Sequence, residues 1–154
     1  MESVAQTMSE GPREYVTKVE GVRLIELKLV TDERGRIAVG EHQAGMPFVP
    51  QRFFAIFDVP SGQLRGVHAH KTCHQLLICL RGSVTARFDD GTRAGQVVLD
   101  RPSLGLYMPP MVWGGQSEFS ADAMVLVLAS CLYSRAEYIE DYDEFVAAVK
   151  SRKA

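Results

Sequence analysis

Residues 22–30, VRLIELKLV, set Ile25, Leu27 and Leu29 on one side and Glu26 and Lys28 on the other. This two-residue alternation predicts a strand with one buried face. The run breaks at Asp32-Glu33-Arg34-Gly35, and further short segments follow at 37–41, 52–59, 65–70, 74–80, 83–88, 96–99, 105–108, 112–119 and 123–130. Pro60-Ser61-Gly62, Arg81-Gly82, Asp89-Asp90-Gly91 and Pro109-Pro110 punctuate them. Asp90-Gly91 suits a tight hairpin, because glycine accepts the positive φ that such turns need. The sequence MVLVLA within 123–130 is continuously apolar and predicts a strand covered on both faces. Only residues 138–150 carry a helical pattern, with Phe145, Val146 and Val149 on one face and Glu140, Asp141, Asp143 and Glu144 suited to the first turns. Many short strands and little helix predict an all-β fold: a jelly-roll barrel of antiparallel strands with a short C-terminal helix and any ligand inside. Residues 1–14 have few large apolar side chains and are expected to form a flexible arm outside a single domain, 15–154.

Composition narrows the function classes. A length of 154 residues suits one domain, and 17 Lys and Arg against 19 Asp and Glu lack the basic excess of a nucleic-acid binder. No apolar run approaches the ~20 residues of a membrane helix, so no membrane partner is expected. Cys73, Cys79 and Cys131 form no CxxC pair, and an odd count argues against a disulfide framework. Three free thiols in a reducing cytoplasm are expected, with Cys79 and Cys131 as small core residues.

Candidate chemistry centres on His68 and His70. Two apart on a strand, they must project to the same face, and their flanks hold Arg65, Lys71, His74 and Gln75. Such a pair suits either metal ligation by neutral imidazole or proton transfer near neutral pH. The run Gly66-Val67-His68-Ala69-His70, four residues, Gln75, six residues, Gly82 resembles the first signature of the cupin superfamily. In metal-binding cupins a Glu stands at the Gln75 position, and a second signature supplies another His where Pro109-Pro110-Met111-Val112-Trp113 here offers Trp. An amide and an indole do not replace a carboxylate and an imidazole on a divalent ion, so no metal is expected. His42 and His74 do not have the matching spacing.

A longer resemblance follows. RGVHAHKTCHQLLICLRGSV at 65–84 resembles the defining segment of the dTDP-4-keto-6-deoxyglucose 3,4-ketoisomerases, metal-independent cupins of deoxysugar biosynthesis. RFFAIFDVPSG at 52–62, GLYMPPMVW at 105–113 and YIEDYDEF at 138–145 extend it, so that it covers most of 22–145. The resemblance implies a cytoplasmic isomerase without cofactor, acting on a dTDP-linked keto-deoxysugar, with His68 and His70 as the catalytic pair and His70 favoured as carbon base. It implies that Arg52, Arg65 and Gln75 face the enediolate and that Arg52, Arg65, Arg81 and Arg87 are candidates for the diphosphate. Tyr107 and Trp113 would line the sugar or stack on thymine, and Lys71 would point outward. Relatives often carry Tyr where Phe53-Phe54 stand. A homodimer is implied, with the 22–30 strand a candidate for exchange. The alternatives are a metal-free sugar-nucleotide epimerase, a non-catalytic sugar-binding cupin and, last, a metal-dependent oxygenase.

Overall fold

The computed structural model describes Thr7–Met8 and residues 11–154. In chain order the strands are β1 (Thr7–Met8), β2 (Arg13–Val16), β3 (Arg23–Glu26), β4 (Lys28–Asp32), β5 (Gly35–Val39), β6 (Glu41–His42), β7 (Gly45–Met46) and β8 (Arg52–Phe57). After them come β9 (Ala69–His70), β10 (Gln75–Arg81), β11 (Val84–Asp89), β12 (Ala94–Leu99), β13 (Leu104–Met108), β14 (Trp113–Ser117), β15 (Met124–Ala129) and β16 (Tyr138–Ile139). A single 3-10 turn at Arg135–Glu137 precedes β16, and the one α-helix among the described residues, α1 (Tyr142–Lys153), follows it. Two sheets face each other across the main core: a six-stranded sheet in the order β2-β3-β13-β10-β15-β8 and a three-stranded one in the order β12-β11-β14. Pairing is antiparallel throughout except between the short β6 and β7. This is the expected all-β jelly roll with a C-terminal helix.

Alternation decides what faces inward. In β15, Val125, Val127 and Ala129 are buried, and the two valines meet Leu77, Cys79, Ala86, Phe88, Leu106 and Met108 between the sheets. The Asp90-Gly91 turn closes β11 onto β12, with the Asp90 N–H donating to the Arg93 carbonyl and Gly91 at φ +91°. The doubly covered strand is β10, not β15. Leu77 and Cys79 point into the main core, while Leu76 and Ile78 join Ile25, Met46, Phe48 and Tyr107 in a second cluster on the outer face. The outer face of β15 lies one strand from the sheet edge and is only half covered. Met124 there is 39% exposed, and Phe53 and Phe57 on neighbouring β8 are 71% and 56% exposed.

Three further expectations change. The predicted 22–30 strand is two strands, because the Leu27 N–H leaves the ladder to donate to the Ser103 carbonyl at 2.7 Å, and β4 departs into a separate sheet with β1 and β5. The arm expected over 1–14 is partly in strands: Thr7 and Met8 pair with β4, and Arg13 and Glu14 pair with β3. Residues 1–6, 9 and 10 lie outside the described residues. The helix begins at Tyr142, not at 138. Asp141 caps it by accepting from the Glu144 N–H at 2.9 Å, and Tyr138 and Ile139 are drawn into a ladder with His70 and Ala69.

Candidate active site

The approach to the histidines is a turn rather than a strand. Arg65 and Gln116 exchange backbone hydrogen bonds at 3.0 and 2.8 Å, and Gly66 then takes φ +64°. A Cβ at Gly66 would come within 2.7 Å of the Gln116 amide, so close approach and positive φ both require glycine here. The predicted 65–70 strand therefore shrinks to β9. His68 and His70 still project together, because the Gly114 N–H donates to the His68 carbonyl and the Met111 N–H to the His70 carbonyl, at 2.9 and 2.7 Å. Both side chains enter a cavity of about 240 Å³ inside the barrel, whose wall also includes Arg65, Gln75, Arg87, Gln116 and Tyr138.

Within it the two Nε2 atoms stand 3.2 Å apart and the rings meet edge to face, at 82°. In this contact one imidazole donates and the other accepts. Burial dominates their titration. It lowers His68 despite the opposing pull of Glu140, and lowers His70 to about 4, assisted by His68 and Arg52 and opposed by Glu137. At neutral pH both are available as bases. The Tyr138 ring rests on both, 4.8 Å from His68 and 4.6 Å from His70.

The remaining expected site residues divide. Arg65, Gln75 and Arg87 reach the cavity. Arg52 lies beside it; its guanidinium covers the Phe54 and Tyr133 rings at 5.5 and 5.6 Å, and its buried Nε has no partner among the described residues. Arg81 ends β10 in solvent, outside the residues that line the cavity. Tyr107 is also a correction: Leu106 and Met108 line the cavity, so the residue between them faces away, into the second cluster. There its hydroxyl meets His74 Nδ1 at 2.6 Å. Trp113 packs on Tyr142 and Phe145 of α1 and lines a neighbouring cavity of about 560 Å³, which shares Arg87, Gly114 and Gln116 with the first. Lys71 is exposed, His42 lies exposed on β6, and His74 is committed to Tyr107. Among the described residues no three His, Cys, Asp or Glu side chains converge as metal ligands.

The family FdtA (WxcM-like, C-terminal) matches residues 20–150. The chain belongs to this family. It is 40% identical over 123 residues to the TDP-4-oxo-6-deoxy-alpha-D-glucose-3,4-oxoisomerase of Aneurinibacillus thermoaerophilus, covering 80% of this chain and 88% of that protein. A variant of the 3,4-ketoisomerase QdtA from Thermoanaerobacterium thermosaccharolyticum, solved in complex with TDP-4-keto-6-deoxyglucose, superposes with a TM-score of 0.83 at 36% identity, covering 87% of this chain and 97% of that one. The WlaRB TDP-quinovose 3,4-ketoisomerase of Campylobacter jejuni gives 0.80 at 36% identity, covering 84% and 99%.

In this FdtA-family chain, sequence reasoning missed the strap that closes the site. Residues 130–139 run beside the loop after β9: Ser130 and His74 exchange two hydrogen bonds, and the Lys71 N–H donates to the Glu137 carbonyl. Burial pushes the Glu137 carboxyl up, but hydrogen bonds from the Thr72 and Cys73 backbone outweigh it and hold the group below the usual range. Cys73 and Cys131 are joined by a disulfide, with Cα atoms 5.6 Å apart, which corrects the expectation of three free thiols. Their 58-residue separation hid it, since only folding brings the end of β15 to the loop after β9. Cys79 alone is free, and it is buried as expected. The helical pattern over 138–150 likewise hid the strand that carries Tyr138.

Proposed function

We propose that the chain is a dTDP-sugar 3,4-ketoisomerase, moving the carbonyl of dTDP-4-keto-6-deoxyglucose from carbon 4 to carbon 3 through an enediol. The observation that carries this reading is the neutral imidazole pair, Nε2 to Nε2 at 3.2 Å, in a barrel cavity with Gln75 and Arg65 on its wall. The reaction needs two proton movements. The hydrogen on carbon 3 leaves and one returns to carbon 4, while the proton on the carbon 3 oxygen is exchanged for one on the carbon 4 oxygen. Both carbons and both oxygens are adjacent, so two imidazoles in hydrogen-bond contact serve all four positions without either having to travel. His70, the deeper of the two, is assigned as carbon base, and His68 as the carrier between oxygens. Arg65 and Gln75, on the cavity wall, are assigned as donors to the enediolate oxygen, and Arg65 and Arg87 as partners of the diphosphate.

A doubly charged nucleotide sugar does not cross a bilayer, so the enzyme is assigned to the cytoplasm, where such a substrate is retained. A homodimer is proposed from the exposed Phe53, Phe57 and Met124 on adjoining strands, a patch for a second copy to cover. Light scattering on the purified chain reads its mass directly. Incubation with dTDP-4-keto-6-deoxyglucose in deuterated water, followed by NMR, tests the activity. Carbonyl migration with deuterium at carbon 4 is expected. Exchange with inversion but no migration would instead indicate an epimerase, and neither change would leave a binding protein.

A further inference from the structure

A histidine that carries protons is usually held in orientation by a hydrogen bond to its second ring nitrogen. His70 lacks that device: its Nδ1 is buried and has no partner among the described residues. The terminal torsion of an imidazole is broad and permits rotation. Something else must fix the ring.

The strap supplies it. β16 pairs with β9 so that Tyr138 lies directly opposite His70. The half-buried Tyr138 ring touches both imidazoles, at 4.8 and 4.6 Å and at interplanar angles of 58° and 55°, while the imidazoles meet each other at 82°. Each of the three rings is therefore wedged by the other two. The wedge cannot drift, because the segment carrying it is tied on one side by Glu137, whose backbone and carboxylate accept from the N–H groups of Lys71, Thr72 and Cys73. Further back, the Cys73–Cys131 disulfide anchors it. On its outer side Tyr133 leans on Tyr138 at 5.8 Å, and the Arg52 guanidinium lies over Tyr133.

We propose that Tyr138 is a positioning residue whose ring, acting by packing and not through its hydroxyl, sets the contact between His68 and His70 and keeps water from His70. This rests on the ketoisomerase reading for its kinetic consequence, but not for its structural one. Besides the Tyr138 hydroxyl, which Y138F removes, the charged and titratable groups that face the pair are Glu137 and Arg52 near His70, Glu140 near His68, and Arg65 and Arg87 on the cavity wall. None is altered by changing Tyr138, so a shift in imidazole titration reports on packing and solvent.

The test compares Y138F, Y138L and Y138A by NMR titration of the histidine rings and by kinetics. In Y138L and Y138A, the His70 titration is expected to move up from about 4 towards the ordinary 6.5 as water reaches the ring. On dTDP-4-keto-6-deoxyglucose, kcat should fall about tenfold or more with KM changed less than about threefold. Y138F is expected to rescue most of both effects. A His70 titration that stays in place in Y138L overturns the proposal, as does a Y138F chain as impaired as Y138A, which would make the phenol hydroxyl a proton carrier. Y138L keeps an apolar side chain of moderate size at the strap, so the test does not depend on Y138A folding. If no chain turns over the sugar, the activity reading fails while the titrations still decide the role of Tyr138.

Discussion

Two histidine and aromatic clusters lie on either side of the six-stranded sheet, one on its outer face and one carried into the barrel by the β9–β16 ladder, and they are built differently. On the outer face His74 stacks on Tyr107 at 17°, its Nδ1 bonded to the phenol at 2.6 Å, with the Arg23 guanidinium 4.7 Å above the phenol ring. Inside the barrel His68 and His70 meet edge to face, share one hydrogen bond and leave His70 Nδ1 unpartnered in a cavity. In the first arrangement His74 Nδ1 and the phenol satisfy each other; the second leaves both capacity and room. Chemistry is therefore read from what a buried histidine lacks as much as from where it stands.

The sharpest break between the clusters is catalytic. His70→Asn is expected to lower kcat by about 10²–10⁴-fold, the range for removing an acid-base group. The melting temperature should change little, because His70 gives up only one side-chain hydrogen bond. A His70→Asn chain that isomerises dTDP-4-keto-6-deoxyglucose at the normal rate would remove His70 from the mechanism.

Cys73 and His74 are consecutive, so the disulfide sits where the two clusters adjoin: Cys73 lines the cavity and His74 faces outward. Closing a loop of 58 residues is worth up to about 4 kcal/mol by the chain-entropy account. Reductant, or Cys131→Ser, should lower the melting temperature accordingly. Thiol titration of the denatured chain should find one thiol before reduction and three after. Three before reduction would mean that the strap is held by Glu137 and Ser130 alone.

Acid should strike the inner cluster first. Burial holds both its imidazoles below their ordinary value, His70 at about 4, whereas the unfolded chain takes up these protons near 6.5. Between those limits the unfolded state binds more protons, so stability is full above pH 6.5 and is lost as pH falls towards 4. The loss is up to about 3 kcal/mol for His70. The acid limb of kcat/KM should lie below 6.5 for the same reason. Paired denaturation and rate profiles check this, and a limb at 6.5 or above would mean that the cavity is wet.

Much of this was legible in the chain because short apolar runs survive as β8, β10, β11 and β15, and Pro or Gly follows the first three. The histidine pair was legible too, from spacing alone. What was hidden depended on which neighbour covers a face. MVLVLA and the LLICL of β10 are both continuously apolar, and only the strand order puts β10 under the Met46 and Phe48 cluster and leaves β15 half open. Tyr107 was misplaced for a similar reason, since a one-residue offset from Leu106 and Met108 decides which face it takes. The disulfide and Tyr138 were invisible because they are contacts across 58 and 68 residues, and Tyr138 also falls at the start of the helical pattern over 138–150.

The mildest prediction tests the outer cluster directly. Tyr107→Phe removes the hydroxyl bonded to His74 and nothing from the cavity wall. The His74 Nδ1 then loses its partner while the stacked rings and Arg23 remain, so the cost should be about 1 kcal/mol of stability. Turnover of dTDP-4-keto-6-deoxyglucose should stay within about twofold, and KM should not move. Were KM to rise tenfold, Tyr107 would be touching the nucleotide sugar after all, and the sheet would carry substrate on both faces. A stability loss with unchanged kinetics would instead fix the division between a cluster that holds the fold and one that works on a ligand.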